Sequence, residues 1–194
     1  MNERRLFFAI PLSDSVRKRL AREMRNWEEL PVIPERSDFL HVTVLFLGHI
    51  LDEDVAELSD IAREVCASHE PFELFFSGIG LGPDAEEPKT ICLAGEESEA
   101  LRDLRNGLVE EFSGRLVGSR RFRPHVTLAK VKRGAFMRLS KEEQNRAVRT
   151  FPLSEPVSSV VLFESVGTGP KREYLPMKEF PLGETDNRWM DDGE

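Results

Sequence analysis

Two copies of one short motif carry the residues best suited to chemistry. HVTVLFLG begins at His41, and HVTLAK begins at His125. Each copy places a histidine and a threonine two residues apart in a run of residues that favour β-strands. Because alternate side chains of a strand point to the same face, His41 and Thr43 should share one face, as should His125 and Thr127. Two such strands lining one cleft would present two imidazoles and two hydroxyls to a small anionic group.

An acid–base pair that acts on a phosphodiester is one interpretation of this pattern. Imidazole has an unperturbed pKa of about 6.5, so it can take or give a proton at neutral pH. Displacement at phosphorus is in line, and two histidines on opposing strands suit that geometry: one deprotonates the nucleophile and the other protonates the leaving oxygen. The two threonine hydroxyls would then hold non-bridging phosphate oxygens.

Three other interpretations remain open from the residues alone. A zinc site normally needs a third protein ligand, but His49 and His69 have no matching context, and Cys66 and Cys92 lack metal-binding spacing. A non-catalytic module could bind a nucleotide or an RNA end in the same cleft. Two buried histidines could also serve only structural hydrogen bonds. Duplication of the whole motif favours the acid–base pair, which requires neither a metal nor another cofactor.

The elements that must position the motifs follow from hydrophobic periodicity and from turn residues. The first half is predicted to contain a strand at 4–11, a helix at 14–29, the first motif strand at 39–48, a helix at 52–68 and a strand at 72–82. The second half is predicted to contain a strand at 89–95, a helix at 97–113, the second motif strand, a short helix at 140–149, and strands at 157–165 and 173–182. The glycines of GIGLG (78–82) lack a Walker lysine and indicate a bulge or turn rather than a phosphate loop.

An internal repeat relates the two halves of the chain. His125 follows His41 by 84 residues, and the same offset lays FFAI (7–10) on ICLA (91–94). Further along, LFFSGIGLGP echoes LFESVGTGP with a slightly larger offset. Three matches in the same order indicate a duplicated unit.

The repeat predicts an α+β fold of two pseudo-symmetric lobes of antiparallel sheet with flanking helices. The two H-x-T strands would line a central cleft between the lobes. Residues 1–182 are expected to form a single bilobal domain, with repeat halves at about 4–88 and 89–182. The acidic tail, 183–194, is expected to be flexible.

The distribution of charge favours an anionic substrate near the second motif. The chain has a net charge of −8, which disfavours broad nucleic-acid binding. Residues 114–134, however, hold seven basic residues and no acidic ones, so the remainder carries 20 basic and 35 acidic residues. No apolar run approaches the ~20 residues of a membrane span, and the N-terminus lacks the features of a signal peptide. We therefore predict a cytoplasmic protein without a membrane partner.

Four segments in this order resemble the two-histidine (2H) phosphoesterases: FFAIPLS, FLHVTVLFLG, RPHVTLAK and VLFESVGTGPKREYLPMKEFPL. The resemblance covers about residues 4–182 and points to the RNA 2′,3′-cyclic phosphodiesterases, the LigT-like branch. It implies metal-independent hydrolysis of a terminal ribose 2′,3′-cyclic phosphate to a 2′-phosphomonoester. Some members also join 2′–5′ RNA linkages. The implied partner is RNA with a cyclic phosphate end, or a cyclic nucleotide, bound by a monomer.

The same resemblance implies a role for each motif residue. His41 would be the proton donor to the leaving 3′-oxygen, and His125 would be the proton acceptor that activates water. Thr43 and Thr127 would bind the phosphate. No metal is implied.

Flanking residues supply further expectations. Many relatives have an arginine where this chain has Lys130, and strand alternation places Lys130 on the face opposite His125 unless a bulge intervenes. Arg123, two residues before His125 and on its face, is the better candidate for a contact with the RNA backbone. Phe7 and Tyr174 could stack a base, although a core or rim position is the more common use of such aromatic residues.

Overall fold

Nine β-strands and five α-helices make up the parts of the chain that the computed structural model describes, residues 2–112 and 122–183. The strands are β1 Glu3–Pro11, β2 Val32–Pro34, β3 His41–Leu51, β4 Phe72–Gly82, β5 Thr90–Gly95, β6 His125–Val131, β7 Arg149–Val157, β8 Ser159–Val166 and β9 Glu173–Pro181. The helices are α1 Asp14–Met24, α2 Val55–Ala67, α3 Glu99–Glu111, α4 Arg133–Phe136 and α5 Lys141–Asn145. This content confirms the predicted α+β class.

Most predicted elements are present, and the main difference is β7. The short helix predicted at 140–149 ends at Asn145, and a strand that the pattern did not indicate begins at Arg149. β7 lies at the edge of the sheet and contains Pro152 and Pro156, which an edge strand tolerates but which obscure a strand pattern in the sequence. The helix predicted at 14–29 ends earlier, at Met24, and continues as a 3₁₀ turn.

All nine strands within the described ranges belong to one antiparallel sheet. The strand order is β7-β4-β5-β6-β3-β1-β8-β9, and β2 pairs with β6 beside β3. Among the described residues, β3 and β6 share a single register pair, Val42 opposite Val126. The two lobes are therefore halves of one sheet that meet where the motif strands are adjacent, rather than two separate sheets that face each other.

The strand order has pseudo-two-fold symmetry about that junction. One half reads β6-β5-β4-β7 outward, and the other reads β3-β1-β8-β9. The third strand of each repeat is exchanged: β4, from the first half of the sequence, pairs with β5, whereas β8, from the second half, pairs with β1. Each lobe thus contains strands from both halves of the sequence. The repeat halves at about 4–88 and 89–182 therefore do not coincide with the two lobes, and this division of the sequence stays a prediction.

The hydrophobic core lies on the face of the sheet that the helices cover. Apolar burial is the main favourable contribution to folding, and the fully buried residues come from strands and helices on both sides of the junction. They include Phe8, Val42, Leu58, Leu93, Leu104, Val126 and Leu162. α2 contacts β9, and α3 contacts β3. The opposite face of the sheet, around the junction, is left for the motif side chains.

Two sequence expectations fall partly or wholly outside the described residues. The basic segment 114–134 is described only from residue 122 onward, and the acidic tail is described only at Gly183. Within the described ranges, no helix is long and apolar enough to cross a membrane.

Candidate active site

The two motif strands meet at the centre of the candidate site. Val42 of β3 lies opposite Val126 of β6 in antiparallel register, and both valines are fully buried. Since the valine side chains point into the core, the histidine and threonine on either side of each valine point to the opposite face. The pseudo-two-fold axis passes between the valines and relates one H-V-T triplet to the other.

Antiparallel register brings each histidine beside the threonine of the other strand. From the Val42–Val126 pair, His41 lies across from Thr127, and His125 lies across from Thr43. The two histidines are diagonal neighbours, a relation for which Cα atoms lie about 7–8 Å apart. A phosphate group bound above the valine pair would therefore have one imidazole on each side.

Both imidazoles are oriented by the same hydrogen bond. Nδ1–H of His41 donates to the carbonyl oxygen of Phe39 at 2.6 Å, and Nδ1–H of His125 donates to that of Arg123 at 2.9 Å. Each acceptor lies two residues before its histidine. With Nδ1 engaged, Nε2 of each ring is the atom that takes or gives a proton. The Thr43 hydroxyl lies 3.1 Å from Nε2 of His41 and donates to it in the neutral ring.

His41 lies in an aromatic environment that His125 lacks among the residues that the structure describes. Its ring centroid is 5.2 Å from Phe7, 5.3 Å from Tyr174 in an edge-to-face arrangement, and 6.1 Å from Phe163. His41 is half-buried, whereas His125 is exposed. The site is thus symmetric in its backbone and asymmetric in its surroundings.

Burial lowers the pKa of His41, because the charged imidazolium is poorly solvated among these rings. The carbonyl of Phe39 opposes this by stabilising the charged ring, and the carboxylate of Glu35 does so through its negative charge. The neighbouring His125 lowers the pKa of His41 further. The net direction is downward, so the free protein favours a neutral His41 at neutral pH.

A bulge in β6 changes the orientation of Lys130. The register with β5 shifts at Leu128, and both Leu128 and Ala129 are fully buried. Lys130 then lies opposite Thr90, two residues along β5 from the partner of Thr127. Lys130 therefore shares the face of the motif residues, which simple alternation would not allow. Its Nζ is 2.7 Å from a carboxylate oxygen of Glu35.

β3 contains the counterpart of this bulge. Its register with β1 shifts between Thr43 and Leu45, and both Val44 and Leu45 are buried. Phe46 is therefore turned onto the motif face, where it is 53% exposed and its ring centroid is 5.7 Å from that of Phe7. The same backbone irregularity thus presents an aromatic ring in one lobe and a cation in the other.

The surface beside His125 is built from small residues. Ala94 lies opposite His125, and Gly78 lies opposite Ala94 on the next strand. Gly80 is two residues further along β4, and a Cβ atom there would meet nothing within 4 Å. The glycines of GIGLG thus belong to a strand that keeps this side of the cleft flat, and the bulge in that strand lies between Phe76 and Gly78.

The three remaining flanking residues, Phe7, Tyr174 and Arg123, lie in different surroundings. Phe7 is only 2% exposed and packs beneath His41 on the motif face, so its buried ring offers no free face to a base. Tyr174 is half-buried at the rim, where its ring centroid is 5.0 Å from that of Phe39. Arg123 is exposed and its carbonyl orients His125, but contact of its side chain with RNA stays a prediction.

The remaining histidines and the cysteines do not form a metal-binding cluster among the described residues. Nδ1 of His49 lies 3.5 Å from Oε2 of Glu3, and Nδ1 of His69 lies 2.7 Å from the carbonyl oxygen of Val65. Cys66 is a buried free thiol whose pKa is raised by burial to about 12. In residues 2–112 and 122–183, no three His, Cys, Asp or Glu side chains form a group that could hold a metal ion.

The sequence is similar to several proteins that are each named RNA 2′,3′-cyclic phosphodiesterase. The chain is 33% identical over 142 residues to an RNA 2′,3′-cyclic phosphodiesterase of Thermus thermophilus, covering 66% of this chain and 69% of the relative. It is 30% identical over 135 residues to a protein of the same name from Archaeoglobus fulgidus, covering 66% of this chain and 73% of the relative. With a third, from Aquifex aeolicus, it shares 26% over 187 residues, covering 91% and 95%.

Solved structures share the fold. Escherichia coli LigT complexed with 3′-AMP superposes with a TM-score of 0.77 at 25% identity, covering 94% of this chain and all of that one. TT0787 of Thermus thermophilus superposes with a TM-score of 0.76 at 26% identity, covering 92% and 98%. The family model described as the 2′-5′ RNA ligase superfamily matches residues 11–169, most of the chain. The chain therefore belongs to the 2′-5′ RNA ligase superfamily.

Proposed function

We propose that this protein hydrolyses terminal RNA 2′,3′-cyclic phosphates, or cyclic nucleotides of the same kind, to 2′-phosphomonoesters without a metal. The observation that carries the proposal is the antiparallel pairing of two H-V-T triplets about Val42 and Val126. This pairing puts two Nε2 atoms and two threonine hydroxyls on one face of the sheet. Relatives named RNA 2′,3′-cyclic phosphodiesterase support the substrate class.

The reaction requires one proton to be removed and another to be supplied on opposite sides of phosphorus. Nε2 of His125 takes a proton from water as the water oxygen bonds to phosphorus. The P–O3′ bond breaks, and Nε2 of His41 gives its proton to the departing 3′-oxygen. The phosphate remains on the 2′-oxygen, and each histidine ends in the state in which the other began, so proton exchange with solvent restores the pair.

Charge on the non-bridging oxygens requires donors on the same face. The hydroxyls of Thr43 and Thr127 flank the valine pair, and Lys130 supplies a cation on that face because of the β6 bulge. Donors that are oriented before substrate binds stabilise the pentavalent transition state without reorganisation. Lysine provides a point charge rather than the bidentate fork that an arginine would offer.

The surroundings of His125 fit its role as the base, whereas those of His41 both favour and oppose its role as the proton donor. His125 is exposed, as a base that must meet water should be. His41 is half-buried beside the aromatic rings, which suits a group facing the ribose of the leaving oxygen. Its lowered pKa, however, works against a proton donor at neutral pH. A phosphate anion in the cleft would favour the charged ring and offset part of that penalty.

Several broader features belong to the same proposal. A 5′-hydroxyl in place of water would use the same pair of histidines to form a 2′–5′ linkage, in keeping with the family description. One chain should suffice, because both triplets come from it. Residues 1–182 should act as a single domain, since each lobe needs strands from both halves of the sequence. Free cysteines fit a cytoplasmic location.

Incubation of the protein with 2′,3′-cyclic AMP, followed by separation of 2′-AMP from 3′-AMP, tests the proposal. We expect 2′-AMP as the product and no change in rate on addition of EDTA. Binding without turnover across the pH range would instead indicate a module that only recognises RNA ends. Loss of activity in EDTA that zinc restores would refute the metal-independent mechanism.

A further inference from the structure

Glu35 and His41 occupy neighbouring positions along the edge of β6, with five residues between them in the sequence. β2 and β3 are consecutive in the sequence, and both pair with the same edge of β6. The backbone N–H of Glu35 donates to the carbonyl of Leu128 at 2.8 Å, and Val42 lies opposite Val126. The two attachment points are only two residues apart on β6. Residues 36–40 form the loop between them, which brings Glu35 and His41 together at its base.

The Glu35 carboxylate is held in this position and is largely shielded from water. Its side chain is 18% exposed, and it lies 2.7 Å from Nζ of Lys130. Lys130 is 46% exposed, so its ammonium group reaches the open side of the cleft. The carboxylate is thus paired with a cation on the motif face, and its negative charge also acts on His41.

The charged and titratable groups around His41 come from three parts of the sheet. Glu35 approaches from the end of β2, His125 and Lys130 from β6, and Tyr174 from β9. His125 disfavours a charged imidazole, and the positive charge of Lys130 acts in the same direction by repulsion. Arg36, at the loop, is occupied by Asp38 and Glu173. Glu35 is therefore the group whose charge offsets the burial of His41.

We propose that Glu35 is a positioning residue that sustains the protonated form of His41 and thereby keeps it competent as the proton donor. This inference rests on the proposed function, because the donor role has meaning only for that reaction. Lys130 limits the effect, since its ammonium group neutralises much of the same carboxylate. The sequence motifs do not include Glu35, which reaches the site only through the pairing of β2 with β6.

Opposite shifts from two substitutions distinguish this role from a structural one. Removing the carboxylate in Glu35→Gln should move the titration of His41 to lower pH. Removing the cation in Lys130→Met should move it to higher pH, because the carboxylate is then unneutralised. The double variant should titrate closer to the unmodified protein than Lys130→Met does. Imidazole resonances followed by NMR against pH, with no substrate present, give these values directly.

A pH-rate profile extends the test to catalysis. In Glu35→Gln we expect kcat/KM for 2′,3′-cyclic AMP to fall ~10-fold at pH 8 and to change little at pH 5.5, because only the alkaline side depends on proton retention by His41. Glu73→Gln, on the exposed surface of β4, is the matched control. An equal loss at every pH, or an unmoved His41 titration, would overturn the inference.

The two proposals fail in different ways. If the unmodified protein does not hydrolyse the cyclic nucleotide, the proposed function is wrong, and the NMR titrations still report whether Glu35 supports a charged His41. If the unmodified protein hydrolyses it and Glu35→Gln retains the same pH profile, the hydrolytic function stands and the role of Glu35 is wrong.

Discussion

The two threonines of the motifs offer a sharp prediction, because valine removes each hydroxyl while keeping the branched shape. We consider Thr43→Val and Thr127→Val as a matched pair. Both residues lie on strands beside a fully buried valine, and both are half-buried. Valine suits a strand at least as well as threonine, so each variant should fold normally. The predicted effect is therefore on catalysis.

The expected loss follows from one hydrogen bond to a charged oxygen. Such a bond contributes about 1.5–3 kcal/mol, and its loss in the transition state lowers kcat/KM by about 10- to 150-fold. Pseudo-symmetry predicts losses of similar size for the two variants. Thr43→Val has a second effect, since its hydroxyl lies 3.1 Å from Nε2 of His41 and stabilises the neutral ring. Because the Thr43→Val variant lacks this hydroxyl, its activity should persist to higher pH, whereas the alkaline limit of Thr127→Val should not move.

Initial rates on 2′,3′-cyclic AMP between pH 5 and 9 provide the assay. Thr150→Val, on an exposed position of the edge strand β7, is the control for a generic threonine substitution. Thermal unfolding followed by circular dichroism checks that each variant is folded. If both motif variants keep kcat/KM within about twofold of the unmodified protein, the hydroxyls do not stabilise the transition state, and the assignment of Thr43 and Thr127 is refuted.

Three further predictions concern stability. Because burial lowers the pKa of His41 below that of the unfolded chain, the free energy of unfolding should fall as pH drops below about 6.5, and His41→Gln should reduce this dependence in urea titrations. Glu155 is 3% exposed and accepts two hydrogen bonds at the start of α1, so Glu155→Ala should destabilise the fold by about 1–3 kcal/mol without changing the pH-rate profile. Gly78→Ala should cost about 1–3 kcal/mol in the same titrations, because its Cβ would lie 2.8 Å from the carbonyl oxygen of Arg149, whereas Gly80→Ala, with open space around it, should be close to neutral. Equal stability of the two alanine variants would contradict the packing described for β4.

The face shared by each histidine and its threonine was predictable from sequence because it depends on only three residues of a regular strand. Period-two alternation holds over so short a span, and the buried valines Val42 and Val126 show that it does so in both copies. The antiparallel class followed from the repeat pattern. Both features depend on residues that are close together in the sequence or on the order of neighbouring elements.

The exchange of strands between lobes was not predictable in the same way. β4 and β8 have similar sequences and similar local periodicity, and nothing within either strand says which lobe it joins. Pairing between strands far apart in sequence is decided by the packing of the whole sheet. The sequence repeat therefore indicates the symmetry of the fold but not the partner of its third strand.

Lys130 and Glu35 show where strand alternation fails to predict the site. A single extra residue at Leu128 turns Lys130 onto the catalytic face, and a bulge in an apolar run has no clear sequence signature. Glu35 enters because a three-residue strand, β2, pairs with β6, and such a strand is too short for a periodicity signal.

The central claim is that His41 and His125 act as one acid–base unit on a cyclic phosphodiester. The direct measurement is the turnover of 2′,3′-cyclic AMP by His41→Ala, His125→Ala and the double variant, each checked for folding. We predict that each single variant loses at least ~100-fold in kcat and that the double variant is scarcely slower than either one, as expected for groups that act together. A folded single variant with near-normal turnover would contradict the account.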